Sequence, residues 1–538
     1  MDSIHQLNHQ LEYLNRIGTA LSAEQNIDKL LEQILVAAKT ITGADGGSLY
    51  LMNEDSTALR FAIVRTDSIG LAYGGTSGQP IPFPELPLCH PDGTPNHTMV
   101  VVHAALTGES INIEDAYDAP GFDFSGTRKF DQNTGYRSRS FLTVPMKNND
   151  NEIIGVLQLL NAIDPDSGAV CAFSAASERL ARSLASQAAV ALCNRRLIQQ
   201  LAELFESLIN LINLAIDEKS PHTGGHCQRV PELTMLIAEA IHDADEGPLA
   251  DFRMSDKDRY ELKIAGLLHD CGKVTTPVHV VDKATKLQSI NDRIGLIDTR
   301  FELVRRDARI ACLEAIAAGD DAARARAALD AALARIKDDQ AFLHRANIGA
   351  EAMREEDQRR VAAISETYRW QNAEGEVQPL LTDDEIENLT IRAGTLTAGE
   401  RAIINHHIVA TIRMLEALPW PRHLQNVPEY AGGHHERMDG KGYPRGLTRE
   451  QMSVQARVMG IADIFEALTA KDRPYKKPMT LSESLAIMAR FSAGGHIDPD
   501  IFEVFMRSRV WRRYGEQFLE AAQLDEVDID AILAAARS

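Results

Sequence analysis

Five histidine- and aspartate-bearing elements, strung between residues 226 and 463 of a helix-patterned stretch, constrain this chain more than any other feature. They are TGGH ending at His226, LLHDCGK with His269 and Asp270, the pair His406-His407, HHERMDGKGYP with His434 and His435, and ADIFEA with Asp463. Of the 17 histidines, 12 lie after residue 205. Imidazole is the commonest metal ligand and titrates near neutral pH, so a domain that gathers these elements is organised around a polar centre. An adjacent His-Asp pair on a helix points in directions about 100° apart, so the imidazole can serve one metal while the two carboxylate oxygens bridge to a second. Imidazole plus carboxylate without thiolate suits Fe, Mn or a similar divalent ion rather than a structural zinc site.

Length sets the frame around that centre. At roughly 150 residues per domain, 538 residues predict about three to four domains. The first 195 residues mix patterns: a helical start over residues 3–38, then the alternating strand GADGGSLYLMNED, then FLTVPMK and IIGVLQLLNA as two strands around the polar turn NNDNE. From about residue 177 to 216 the pattern is helical, with Leu197, Leu201, Leu204, Leu208 and Leu211 spaced 4, 3, 4 and 3 apart. That is a heptad seam, which serves either a helix packing on its own domain or a parallel dimer passing a signal. After residue 217 the chain reads almost wholly helical, and residues 309–338 hold 12 alanines in 30 positions, a composition for long exposed helices with little chemistry. The expected organisation is an N-terminal helix (1–17), an α+β sensor domain (18–176), a connecting helix (177–216) and an all-α domain (217–538) with a helical insertion at about 285–395.

Composition excludes several classes. The formal charge of −21, from 56 basic and 77 acidic residues, argues against sequence-independent binding of a nucleic acid polymer. No run of 18 apolar residues and no secretory leader pattern is present, so no membrane association is expected. Six cysteines without a CxxC pair fit a reducing compartment, and the expected location is cytoplasmic.

The segments HTGGHCQRV, GLLHDCGK, LTAGERAIINHH, HHERMDGKGYPRGL, ARVMGIADIFEALTAKDRPYK and HIDPDIFEVF stand in the order found in the HD-GYP family, which the second half of the chain resembles apart from the insertion. Members of that family degrade cyclic di-GMP in bacteria. The resemblance implies an all-α HD fold and metal ligation by His226, His269, Asp270, His407, His434, His435 and Asp463. His407 is preferred to His406 because it stands seven residues after Glu400, where the family places its ligand. Two metals are expected, Fe or Mn. A third depends on His222, which stands where some members carry a glutamate, and Asp217 takes the place of another family glutamate. A water activated between two cations would then attack phosphorus, giving linear pGpG or GMP. Lys273 is placed near Asp270 to neutralise developing charge or assist the leaving 3′ oxygen. The tight loop Asp439, Gly440, Gly442, Tyr443, Pro444 is expected to meet guanine or phosphate, with Arg229, Arg473 and Lys476 supplying cations. Arg229 and Arg437 have a second reading, as partners of a ligand-orienting carboxylate.

The front half resembles a GAF domain, on TGYRSRSFLTVPM followed by GVLQLLN. The signature of cyclic-nucleotide-binding members is eroded here to Asn161-Ala162, Phe173 and Ser177-Glu178. A small-molecule ligand of unspecified kind is therefore expected. Together these readings describe a homodimeric phosphodiesterase of cyclic di-GMP governed by a sensor. Three rivals stand beside it: the same chemistry on cyclic GMP-AMP, a silent module binding a partner such as a GGDEF-domain protein, and a di-iron oxidase, which Lys273 and the GYP loop disfavour.

Overall fold

The computed structural model describes residues 15–24, 26–219, 225–349, 352–470 and 478–538. Residues 1–14 of the expected N-terminal helix lie outside the described residues, as do His222, Arg473 and Lys476. The chain forms two compact units, Met1–Phe205 and Glu206–Ser538.

The first unit is built on an antiparallel sheet. Its strands are β1 (Ala44–Met52), β2 (Ala58–Thr66), β3 (Leu71–Gly74), β4 (Leu86–Pro87), β5 (Ile111–Ile113), β6 (Phe141–Lys147), β7 (Ile153–Ile163) and β8 (Val170–Cys171). The main order is β3-β2-β1-β7-β6-β5, with β4 beside β2 and β8 beside β7. The polar turn between FLTVPMK and IIGVLQLLNA makes β6 and β7 a hairpin, with Phe141 opposite Leu160 and Val144 opposite Leu157. Alternation then divides the sheet faces. Leu49, Leu157 and Leu159 pack with Ile34, Leu35 and Ala38 of the helix Ile27–Thr42 and with Ala181 to Leu192 of a long helix. On the other face Tyr50 and Val156 meet Val101, Val102 and Ala105 of the helix Val100–Thr107. Asn161 is buried at positive φ, where its Oδ1 accepts from the backbone N of Arg139 (2.7 Å) and Ser140 (3.2 Å). Phe173 lies in the core. These two positions of the eroded signature therefore act structurally.

The long helix runs from Ala175 to Lys219. Its five seam leucines are 50–67% exposed.

The second unit is mainly helical. The exception is a two-stranded hairpin, Arg369–Gln371 with Val377–Pro379, which interrupts the insertion where Asn372 and Gly375 supply the turn. The insertion has a core of its own, in which Phe301, Phe342, Leu343, Val361 and Leu380 are buried together. Lys283 pins its base. The Lys283 ammonium donates to both oxygens of Glu400 (2.7 and 2.8 Å) and to Asn388 Oδ1 (2.8 Å), joining the insertion to the helix Ala398–Glu416 that carries His407.

One glycine decides how closely the centre is assembled. Gly272 lies against the helix Ala398–Glu416, its N–H donating to Thr411 Oγ1 (2.9 Å), and a Cβ there would stand 2.0 Å from the His407 carbonyl oxygen. Backbone cannot give way as a side-chain tip can. Gly272→Ala is expected to destabilise the protein by about 1–3 kcal/mol, as overpacking does. A denaturant titration checks this, and an unchanged midpoint would contradict it.

Candidate metal centre

The His269-Asp270 pair does not lie within one helix. His269 closes the helix Asp256–Leu268, and Asp270 opens the 3-10 turn Cys271–Thr275. The break turns the carboxylate inward, where Asp270 is 2% exposed. His226 Nε2 lies 3.0 Å and His269 Nε2 3.2 Å from Asp270 Oδ2, and His407 Nε2 lies 3.2 Å from Oδ1. Asp463 Oδ1 is 3.4 Å from His226 Nε2. On the far side His435 Nε2 is 3.2 Å from His407 Nε2. Two ligand groups result, His226-His269-Asp270 and His407-His434-His435, with Asp270 between them.

The imidazoles are oriented from behind. Nδ1 of His269 donates to Gly266 O (2.7 Å), that of His407 to Ile404 O (2.5 Å) and that of His434 to Ala431 O (2.7 Å). Each acceptor is the carbonyl three residues earlier. That fixes the proton on Nδ1 and leaves the Nε2 lone pair facing inward, as a metal requires. His434 Nε2 and Asp270 Oδ1 are buried and make no hydrogen bond among the described residues. Buried polar atoms without partners are rare, so two of them in one nitrogen-and-oxygen cage fit divalent metal.

Electrostatics point the same way. Burial, helped by neighbouring imidazoles, pushes His434 down to about 4 and His435 well below its ordinary value, so both are neutral at physiological pH. Burial alone would raise Asp270, but Lys273 and His269 hold it well below the usual carboxylate range. Lys273 Nζ sits 2.6 Å from Asp270 Oδ2. Burial would lower His226, yet Glu466 and Asp270 raise it to about 9.

Glu466 escaped the sequence reading. It stands three residues after Asp463 on the helix Val454–Thr469, hence on the same face. Its Oε2 accepts from His226 Nδ1 (2.5 Å), and its Oε1 accepts from Arg229 Nε (2.8 Å). Burial opposes the charge on Glu466, but His226 and Arg229 bring it to about 2. Arg229 is thus engaged with the carboxylate that orients His226. The i, i+3 spacing from Asp463 was the available signal.

The GYP loop closes one side. Tyr443 stacks on His435, with ring centroids 4.9 Å apart and planes 23° apart, and Pro444 follows it. A Cβ on Gly442 would stand 2.4 Å from Arg437 N, and Gly440 has φ +74°, so both positions exclude larger residues. Asp439 is held by Arg437 Nη2 (2.8 Å) and by Lys441 N (3.0 Å), which shapes the loop. Glu436, also missed from sequence, accepts from Arg445 N (2.7 Å) and Leu447 N (2.9 Å). His406 is exposed, whereas His407 is buried. Asp217 Oδ2 accepts from Gly225 N (3.3 Å), at the turn into His226. Cys227 and Cys271 are buried, and burial pushes both thiols up, as suits packing rather than reactivity.

Family models place these features. A GAF-domain model matches residues 26–192, and two HD-domain models match residues 223–318 and 382–501. The chain therefore carries a GAF domain followed by a mostly helical HD-domain region.

Among curated relatives, the chain is 45% identical over 82 residues to 3′3′-cGAMP-specific phosphodiesterase 1 of Vibrio cholerae serotype O1, covering 15% of this chain and 19% of that one. It is 38% identical over 117 residues to a cyclic di-GMP phosphodiesterase of Pseudomonas aeruginosa (22% and 27%). It is 34% identical over 121 residues to one of Thermotoga maritima (22% and 32%). These matches span less than a third of each of those relatives' lengths. The GAF domain of an Acinetobacter phosphoenolpyruvate-protein phosphotransferase is similar at 18% identity and a TM-score of 0.26, covering 36% of this chain and 96% of that structure. At that score the superposition adds nothing to the family match.

Proton release is the consequence of His226. With its folded, metal-free value raised to about 9, His226 carries a proton at pH 7.5 that must leave when Nε2 takes metal. Apparent metal affinity should rise about tenfold per pH unit from 7 to 9 and level off above. Calorimetry of Mn uptake in buffers of different ionisation enthalpy measures this, and zero proton release at pH 7.5 would contradict it. Glu466→Gln should weaken metal binding about 10–100-fold.

Proposed function

We propose that this chain is a metal-dependent phosphodiesterase hydrolysing cyclic di-GMP to linear pGpG or GMP under control of its GAF domain. The observation that carries the reading is one buried carboxylate, Asp270, set between two imidazole groups whose Nε2 atoms converge on it. His226, His269, Asp270 and Asp463 would hold one cation, and Asp270, His407, His434 and His435 a second, Fe or Mn by ligand type. When bound, the metals supply an activated water and take up charge on the phosphate oxygens. The names of the matched relatives support the substrate class.

The chain's own residues supply the rest of the chemistry. The water oxygen ends on phosphorus, the bond from phosphorus to the 3′ oxygen breaks, and a proton passes to that oxygen. Lys273 is the group for that last step in this reading, because its half-buried ammonium lies beside Asp270. Burial would lower Lys273, but Asp270 and Asp463 raise it, so it stays cationic. Tyr443, stacked on His435, offers a ring face to a base, and the Gly440–Gly442 turn lets substrate approach backbone. Arg229 acts through Glu466, beside whatever contact it makes with phosphate. Cyclic GMP-AMP is the second reading, favoured by the relative named for it.

We further propose a parallel homodimer along the leucine seam of the helix Ala175–Lys219. Five leucines at heptad spacing with half or more of their surface exposed support it.

Two tests follow. Protein loaded with Mn or Fe should consume cyclic di-GMP, and Asp270→Ala should leave below about one hundredth of the rate; retention of a tenth would contradict the bridging role. Leu204→Lys should shift the protein from dimer to monomer in sedimentation velocity. A wild-type monomer at micromolar concentration would contradict the seam.

A further inference from the structure

The last turns of the helix Ala175–Lys219 belong to the second unit and end beside the residue assigned above to the leaving oxygen. Lys219 closes that helix, and its ammonium donates to two backbone carbonyls, those of Lys273 (3.3 Å) and Val274. Both carbonyls lie in the 3-10 turn Cys271–Thr275, which carries the Lys273 side chain to Asp270.

The turn is held unevenly. At its start Cys271 is buried, and Gly272 N–H donates to Thr411 Oγ1 (2.9 Å) on a neighbouring helix. Further on Val274 and Thr275 are exposed, so side-chain burial does not hold that part. Thr276 N donates to Lys273 O (3.1 Å), a bond that closes the turn on itself without tying it to another element. The Lys219 ammonium reaches the same carbonyl from a separate helix, as a charge-assisted donor.

The seat of the connecting helix makes its end contacts matter. Ile209, Asn213 and Ile216, spaced 4 and 3 apart, are its buried face in the second unit. Asn213 interrupts the apolar contact, because its side-chain oxygen and nitrogen are both buried and make no hydrogen bond among the described residues. A buried amide without partners weakens the packing it sits in. Polar contacts therefore carry more of the work of fixing the helix, through Lys219 at its end and through Glu206, whose carboxylate accepts from Lys263 Nζ (3.1 Å) on the helix Asp256–Leu268.

Geometry at the reacting atoms is sensitive to such a hold. A proton donor acts within about 3 Å of the atom it protonates, and a misplacement of about 1 Å costs on the order of a hundredfold in rate. The Lys273 ammonium reaches its position from a backbone that Lys219 steadies.

We propose that Lys219 is a positioning residue for Lys273. By holding the carbonyls of residues 273 and 274 it sets where the Lys273 ammonium meets the leaving 3′ oxygen, and it makes the end of the connecting helix part of the catalytic geometry. The inference rests on the phosphodiesterase reading and on the role of Lys273 within it.

The test compares full-length wild type with Lys219→Met, which removes the ammonium, and Lys219→Arg, which keeps donors at the helix end. The Mn-loaded proteins are assayed on cyclic di-GMP and on bis(p-nitrophenyl) phosphate, whose leaving group departs as a stable anion without needing a proton. Lys219→Met should lower kcat on cyclic di-GMP about tenfold or more with KM within about twofold, and the loss should exceed that on the nitrophenyl diester by about fivefold or more. Lys219→Arg should recover most of the rate. Hydrogen exchange of the metal-free proteins supplies a readout apart from activity: the peptide spanning residues 271–276 should exchange faster in Lys219→Met, with thermal unfolding confirming that the variant is folded. A kcat on cyclic di-GMP within twofold of wild type, an equal loss on both diesters, or unchanged exchange in that peptide would overturn the positioning role and leave the phosphodiesterase reading standing. Wild-type protein that consumes neither diester would overturn that reading and this inference with it.

Discussion

The carboxylate of Asp270 is the group on which the second unit depends. Taking a charge this far out of water costs several kcal/mol unless neighbours compensate, and here the compensation is gathered on one oxygen. Lys273 and the protonated His226 pair with Oδ2, while His407 Nε2 stands 3.2 Å from Oδ1 with its lone pair inward. His226 and His407 arrive on helices of their own, so the carboxylate can be buried among them only if those segments meet. The 3-10 turn after His269 and the missing side chain at Gly272 make that meeting geometrically available. The unpartnered atoms, His434 Nε2 and Asp270 Oδ1, are the places where compensation from protein alone stops. A cation bound there would satisfy both.

Behind the ligands stands a layer that holds them in one protonation state. Three histidines donate Nδ1–H to a carbonyl of their own preceding turn, which costs the fold no additional residue. His226 begins its helix. It uses Glu466 instead, and Glu466 is kept ionised by Arg229. One imidazole in the cage therefore depends on a distant ion pair where three others depend on local backbone. The insertion enters the same network at Lys283, whose buried ammonium meets Glu400 seven residues before His407. An insertion tied at that point is coupled mechanically to a ligand-bearing helix.

Much of this was legible in the residues. The β6–β7 hairpin followed from apolar alternation around NNDNE, and the long helix from its leucine spacing. The convergence of His226, His269, Asp270, His407, His434, His435 and Asp463 followed from their types and from the family resemblance, and the geometry gathers all seven. What stayed hidden was set by tertiary contact. Glu466 and Glu436 look like ordinary helix and loop carboxylates until their partners, 237 and 9 residues away, are in place. The bend between His269 and Asp270 was hidden because HDCGK has no helix breaker before its glycine; packing of that glycine against the helix Ala398–Glu416 imposes it. The hairpin inside the insertion was hidden for a similar reason, since the strands of residues 369–371 and 377–379 are too short to show a period of two. Among the described residues no helix is long and apolar enough to cross a membrane, in keeping with the apolar-run count.

The central claim is that one carboxylate joins two metal positions, and electron paramagnetic resonance of the Mn-loaded protein tests it most directly. Two Mn(II) ions sharing Asp270 would lie about 3.5–4 Å apart and would give the broad multiline spectrum of an exchange-coupled pair at two metals per chain. Asp270→Ala should convert that spectrum to the six-line pattern of isolated ions. A wild-type spectrum of isolated ions at full loading would contradict the account.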